Sequence, residues 1–214
     1  GHADLVRNCL VSMSDACDIP VTIKHRIGID DLDSYQFLCD FVGQVAESGC
    51  KTFIIHARKA HLQGLSPKQN REVPPLNYDY VYALKKDFPD LEIIINGGIK
   101  TIDESLTHLQ HVDGVMLGRE AYQNPWILAD VDSMIYASKV PDFSRHDVIR
   151  NMFPYIEQQL TDGQKLSYIT RHILGLFHGQ PGGKRFRRYL SENAHKPEAS
   201  LQTLESALEC VPEP

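Results

Sequence analysis

No apolar run in this sequence approaches the roughly 18 residues that cross a bilayer. Its first ten residues, GHADLVRNCL, set charges on both sides of Leu5 and Val6, so neither a membrane span nor a secretory leader is expected. Five cysteines, an odd number with no C-x-x-C pair, leave no disulfide framework and no zinc knuckle in view, and no metal centre is expected. That usage fits a reducing cytoplasm. Internal repeats and low-complexity tracts are also missing. What is present is a chain of 214 residues, 42% of them hydrophobic, enough to bury a core and to exclude disorder as the default. The formal net charge is −6, yet residues 171–196 hold Arg171, Lys184, Arg185, Arg187, Arg188 and Lys196 against Glu192 alone. An acidic body with one basic patch points to directed contact with a polyanion.

Hydrophobic spacing divides the chain into alternating elements. Residues 4–16 place Leu5, Cys9, Leu10 and Met13 on one helical face, and IPVTIKHRIG then reads as a short β-branched strand. Residues 34–48 repeat the helical pattern up to Gly49, and KTFIIHAR follows as a strand. The connection AHLQGLSPKQNREVPPLNY is too rich in proline to hold a regular element and too long for a plain turn, so it reads as a functional loop. A helix over 79–87, the strand LEIIINGGI, a helix over 101–109 and the strand DGVMLGREAY complete four βα-type units. Strands apolar on both faces that alternate with helices predict a parallel sheet. Beyond about residue 132, SRHDVIRNMFPYIEQQL, LSYITRHILGLFHG and EASLQTLESALECV are helical patterns with no strand between them. An α/β domain over residues 1–138 followed by a small all-helical domain over 139–214 is therefore expected, with KVPDF breaking the periodicity between them and Ser144 as a helix cap.

Ligands of parallel α/β folds meet the C-terminal ends of the strands, and phosphates favour the loops after the last strands, at helix N-termini. Those loops are Asn96-Gly97-Gly98 and Gly118-Arg119. Glycine admits close backbone approach to a phosphate, and Arg119 can add a charge-assisted contact. Plain turns explain either loop alone; two on successive strands fit a phosphate-bearing ligand equally well. Lys24 and His56 close their strands inside apolar runs. A buried lysine needs an anion or a carboxylate, because unpaired burial is costly, and the strand-end position favours a ligand. His56 alone reads equally as a core histidine; in one ring with Lys24, Asn96 and Gly118 it becomes a ligand contact. In GQPGGKRFRRYLSENA, Arg185 and Arg188 are three apart and share a helix face, which serves either a solvated surface or an RNA phosphate contact.

Taken together, IPVTIKHRIGID, FIIHARKAHLQGLSPKQNREVPPLNY, IIINGGI, DGVMLGREAYQNPWIL and GQPGGKRFRRYLSE resemble the flavin-dependent tRNA-dihydrouridine synthases, most of all their bacterial A subfamily. The resemblance runs in order over nearly the whole chain, and HARKA…GLSPK-x-NR-x-(V/I)PPL and GRxAxxNP are its most specific parts. It implies an oxidoreductase with a (β/α)8 TIM barrel, of which this chain is the C-terminal half, followed by a helical domain that clasps tRNA. FMN, reduced by NADPH, would convert D-loop uridines of the U20/U20a type to 5,6-dihydrouridine. Residue by residue, Lys24 and His56 match positions that contact the flavin ring, where a cation stabilises the reduced flavin. Asn96, Gly97, Gly98, Gly118 and Arg119 match the FMN-phosphate loops, while Lys68, Arg71, Arg185 and Arg188 match positions associated with tRNA.

The family's Ala-Pro-Met strand and the G-x-C-L-M segment with its proton-donating cysteine have no counterpart here. Cys9 and Cys17 belong to the first helix or its exit, Cys39 to the second helix and Cys50 to a turn, so no catalytic acid is assigned and the chain alone is expected to be inactive. Four strands cannot close an eight-stranded barrel, and the open edges IPVTIKHR and GVMLGR invite pairing with another chain or self-association. The working enzyme is expected to be longer. The competing reading is a catalytically inactive tRNA-binding fragment that holds no flavin. A third, another phosphate-site barrel enzyme such as an aldolase or isomerase, gives neither NPWIL nor the KRFRR helix a role.

Overall fold

The computed structural model describes residues 2–213. They fall into two compact units, residues 1–118 and 119–214.

In the first unit α1 (Ala3–Ala16) leads into β1 (Ile23–Arg26), α2 (Tyr35–Ala46), β2 (Thr52–His56), α3 (Tyr78–Asp87), β3 (Glu92–Asn96), α4 (Ile102–Leu109) and β4 (Gly114–Met116). The four strands form one parallel sheet in the order β1-β2-β3-β4. Side chains alternate across each strand, so Phe53 and Ile55 of β2 and Ile93 and Ile95 of β3 share a face. All four are fully buried with Leu38, Val42 and Val45 of α2 and Val81 and Leu84 of α3. Removing each such side chain from water stabilises the fold by about 1.5–3 kcal/mol, which fixes the register because a one-residue slip would expose the whole set. The opposite face carries Lys24, Ile54 and Ile94, which remain partly or largely exposed. Ser34, Asn77 and Thr101 cap α2, α3 and α4 by accepting backbone N–H bonds, as their residue types favour.

Three strands are shorter than the apolar runs suggest. β1 begins only at Ile23, past Pro20, whose ring nitrogen has no hydrogen to give a ladder; β3 stops at Asn96, before the two positive-φ glycines. β4 stops at Met116, and residues 119–122 of the expected strand run fall in a helix, Arg119–Gln123. The long connection after His56 is ordered. Apart from one 3-10 turn at Gln69–Arg71 it is irregular, and Asn70 staples it by accepting from His61 N (2.8 Å) and donating to His61 O (2.7 Å).

The regular elements described in the second unit are all helical: α5 (Arg119–Gln123), a 3-10 helix (Pro125–Asp130), α6 (Val131–Met134), α7 (Arg145–Asn151), α8 (Phe153–Thr161), α9 (Leu166–Thr170), α10 (Gly183–Asn193) and α11 (Leu201–Leu208). Ile149, Ile156, Leu166, Phe177, Phe186, Leu190 and Leu204 form its core, with Phe177 and Phe186 edge to face at 4.8 Å. The unit begins some twenty residues before the expected boundary at 138, and the reason is packing. Trp126 stacks edge-on against Phe143, lies 4.4 Å under the Arg145 guanidinium and packs on the helical core, while Tyr122 and His172 are hydrogen-bonded at 2.9 Å. Residues 119–138 thus group with the helices and not with the sheet.

Candidate functional site

The parallel register aligns the strand ends: Arg26 pairs with His56, His56 with Asn96, and Asn96 with Met116. Lys24 stands two residues before Arg26 and so on the same sheet face. Its ammonium donates to Asn96 Oδ1 at 2.9 Å, and Asn96 Nδ2 donates to the Met116 carbonyl at 2.7 Å. One amide therefore ties β1, β3 and β4 together at their C-terminal ends. The Asn96 carbonyl accepts from Ala57 N at 2.9 Å, which adds the exit of β2.

His56 is 9% exposed and lies against the turn after β3. A Cβ on Gly97 would fall 2.5 Å from His56 Cδ2 and 2.9 Å from Nε2, and Gly97 holds φ +119°. Position 97 therefore requires glycine on two independent grounds, steric and conformational. At Gly98, φ +74°, a Cβ would meet Leu76 Cδ1 at 2.6 Å and Tyr78 Oη at 3.2 Å. A cradle that even a methyl group would fill suits close approach of a phosphate to the backbone. Gly118 differs: a Cβ there meets nothing within 4 Å. Arg119 opens α5 and belongs to the second unit.

The N-terminus of α4 is already capped from within the helix. In α4, Glu104 closes a capping box and its carboxylate accepts from Lys100 N (2.7 Å) and Thr101 N (3.1 Å). Those N–H groups are satisfied, and a carboxylate repels a second anion.

Cations gather around the Gly97-Gly98 turn. Burial, then the neighbouring Arg26 charge, holds the Lys24 pKa below its ordinary value. Burial, then Arg58 and Arg71, does the same for Arg26. Arg26 Nη1 donates to Lys59 O (2.9 Å) and Asn70 O (2.8 Å), and Arg58 Nη1 donates to Pro74 O. Both guanidiniums thus hold the long loop by its backbone. Arg26 raises the cost of the Lys24 charge, and Arg58 and Arg71 that of Arg26. Arg26 and Arg58 were not singled out from sequence, although each lies two residues after a strand-end candidate, in KHR and HAR. Period-two spacing could have found Arg26.

Lys68 and Arg71 flank the 3-10 turn at the loop's exposed tip, and Arg71 is close enough for its charge to lower the pKa of Arg26. In the second unit Arg185 and Arg188 are both exposed on α10, whose other side buries Phe186 and Leu190. Arg188 donates to Glu192 at 2.7 Å, so an RNA phosphate would have to share or displace that carboxylate. Arg171 lies 4.9 Å over the half-exposed ring of Tyr168. All five cysteines are free thiols, in or beside helices or, for Cys50, just before β2. Among the described residues no three His, Cys, Asp or Glu side chains form a metal-binding group, and no helix is long and apolar enough to cross a membrane.

A βα-repeat protein with cations, an imidazole and a glycine turn at the strand ends belongs to the ligand-binding parallel α/β class. Within that class the chain belongs to the dihydrouridine synthase (Dus) family, whose model matches residues 1–212. It is 59% identical over 212 residues to the tRNA-dihydrouridine(20/20a) synthase of Escherichia coli (strain K12), covering 99% of this chain and 61% of that protein. The protein of the same name from Vibrio cholerae is 55% identical over 213 residues, covering 99% of this chain and 65% of the relative. That of Yersinia pestis is 59% identical, with 61% of its length covered. The chain therefore spans less than two thirds of the length of the curated relatives it matches.

Proposed function

We propose that this chain carries the flavin-facing half and the RNA-facing helices of a flavin-dependent tRNA-dihydrouridine synthase that acts in the cytoplasm on D-loop uridines of the U20/U20a type. The observation that carries the reading is the strand-end array, in which Asn96 links Lys24 to Met116 O and His56 abuts the Gly97-Gly98 turn. FMN bound there would pass hydride, received from NADPH, to the C5=C6 bond of uracil. Gly97 and Gly98 leave room for its phosphate beside backbone N–H groups; Gly118 closes the same unit, and Arg119, matched to the phosphate loops by resemblance alone, opens α5 of the second unit. Lys24 brings a positive charge to the point where the ring gains negative charge, and Asn96 keeps the ammonium in one orientation. His56, held close to the turn, orients the ring or the uracil. The Arg26-Arg58 pair secures the long loop whose tip offers Lys68 and Arg71 to the RNA backbone. No thiol among the five stands at a strand end, so the proton donor to uracil is not assigned to this chain.

Gel filtration of the chain after addition of FMN should give a yellow peak with flavin and protein in equal amounts, and Lys24→Ala should lose most of that flavin at the same concentration. A colourless parent peak would overturn the flavin assignment. The second reading, an RNA-binding fragment without flavin, draws on the exposed α10 face and the Arg171-Tyr168 stack, neither of which needs the sheet. The Arg185→Ala, Arg188→Ala double variant should weaken tRNA binding by roughly tenfold at 100 mM salt and shallow its salt dependence by up to two phosphate contacts. Unchanged affinity at matched salt would remove α10 from the RNA surface under either reading.

A further inference from the structure

The hydroxyl of Tyr78, the first residue of α3, donates to the carbonyl of Gly97 at 2.7 Å. Its ring stands edge-on to His108 of α4, 4.4 Å between centroids, and Tyr82 of α3 is hydrogen-bonded through its hydroxyl to His108 Nδ1 at 2.6 Å. His111 stacks on Tyr82 at 4.3 Å, which extends the same aromatic column. Burial holds the Tyr78 hydroxyl protonated to higher pH than usual and His108 neutral to lower pH, so donor and acceptor stay in these roles across the physiological range. The column ends on the one carbonyl between the two positive-φ glycines. A Gly-Gly turn has the widest backbone freedom of any dipeptide, and a turn that must present N–H groups to a phosphate gains from having that freedom removed beforehand. Gly97 is buried and Gly98 exposed, so the hydroxyl grips the inner residue and leaves the outer one accessible.

We propose that Tyr78 is a positioning residue for the phosphate of the ligand, acting through Gly97 and braced by the Tyr82–His108 pair. The inference rests on the flavin reading and goes beyond it in giving the α3–α4 aromatic column a role in distinguishing FMN from riboflavin. The Tyr78 hydroxyl is committed to the Gly97 carbonyl, so removing it should affect only the phosphate-bearing form.

The test is a fluorescence titration of the 214-residue chain and its Tyr78→Phe variant with FMN and with riboflavin. The parent should bind FMN more tightly than riboflavin. In Tyr78→Phe the FMN dissociation constant should rise about 3- to 10-fold, the factor one ordinary hydrogen bond supplies, with riboflavin unchanged. Tyr82→Phe, which leaves the bond to Gly97 in place, should show a smaller, equally FMN-selective loss of about twofold and serves if Tyr78→Phe does not fold. An equal loss for both flavins, an FMN affinity equal to the parent's in the folded variants, or a parent that does not prefer FMN overturns the inference alone. A parent that binds neither flavin overturns the flavin reading and this inference with it.

Discussion

An alanine at position 97 is expected to destabilise the first unit by about 2–6 kcal/mol and to abolish FMN retention in the same protein. Two costs add. The backbone holds φ +119°, a region that L-residues occupy only at about 1–3 kcal/mol of strain. The new methyl would also sit 2.5 Å from His56 Cδ2, with Leu76 at 3.2 Å behind it, and overpacking of this kind costs about 1–3 kcal/mol. His56 cannot swing away freely, because it is the last residue of β2, is 9% exposed and pairs in register with Arg26 and Asn96. The relief available is movement of the turn itself, which carries off the phosphate cradle. Amide exchange in β3 reads the stability change directly; fluorescence of the sole tryptophan, Trp126, reports the other unit. Gly118→Ala is the control, since its Cβ meets nothing within 4 Å, and it should stay within about 0.5 kcal/mol of the parent. If Gly97→Ala retained flavin and parent-like exchange, the strand-end turn would not be the phosphate site.

The same region shows what a sequence can and cannot reveal. TFIIH and EIIIN were legible as buried strands because β-branched residues fill both faces, and Ser34, Asn77 and Thr101 cap helices through chemistry local to each segment. Lys24, His56 and Asn96 could be gathered into one ring because parallel topology brings strand ends together whatever the exact register. The links between them could not be read. The Lys24–Asn96 bond spans 72 positions and the Tyr78–Gly97 bond 19, and each depends on how far two strands or a helix slide before the core locks. The packing of NPWIL was hidden for a related reason: Trp126 meets Phe143 and Arg145, a pairing invisible to periodicity. That Glu104 accepts from Lys100 N and Thr101 N was equally hidden, because a capping carboxylate and a bound phosphate satisfy the same N–H groups.

Acid should loosen β1 from α2, and the group responsible is His25. Its ring lies between Phe41 at 5.1 Å and Phe53 at 6.1 Å, on the sheet face opposite Lys24. Nδ1 meets the Arg26 carbonyl at 2.9 Å, which assigns the proton to Nδ1 and leaves Nε2 buried without a partner. Protonation would put a second, buried N–H where no acceptor meets it. Burial, opposed by the Arg26 carbonyl and helped by the Lys24 charge, brings the pKa from 6.5 down to about 4. The folded state therefore binds fewer protons than the unfolded chain between these values. The contribution to stability is fully present above pH 6.5 and is lost as the pH falls through about 4, roughly 3 kcal/mol in all. His25→Phe should fit between the two rings and flatten this part of the pH profile, whereas carboxylates that titrate in the same range act equally in both proteins. Urea unfolding of parent and variant at pH 7 and pH 4 measures the difference, and an identical pH dependence would show that His25 is protonated without cost. Because β1 also carries Lys24 and Arg26, flavin affinity should fall over the same interval in the parent and less steeply in the variant.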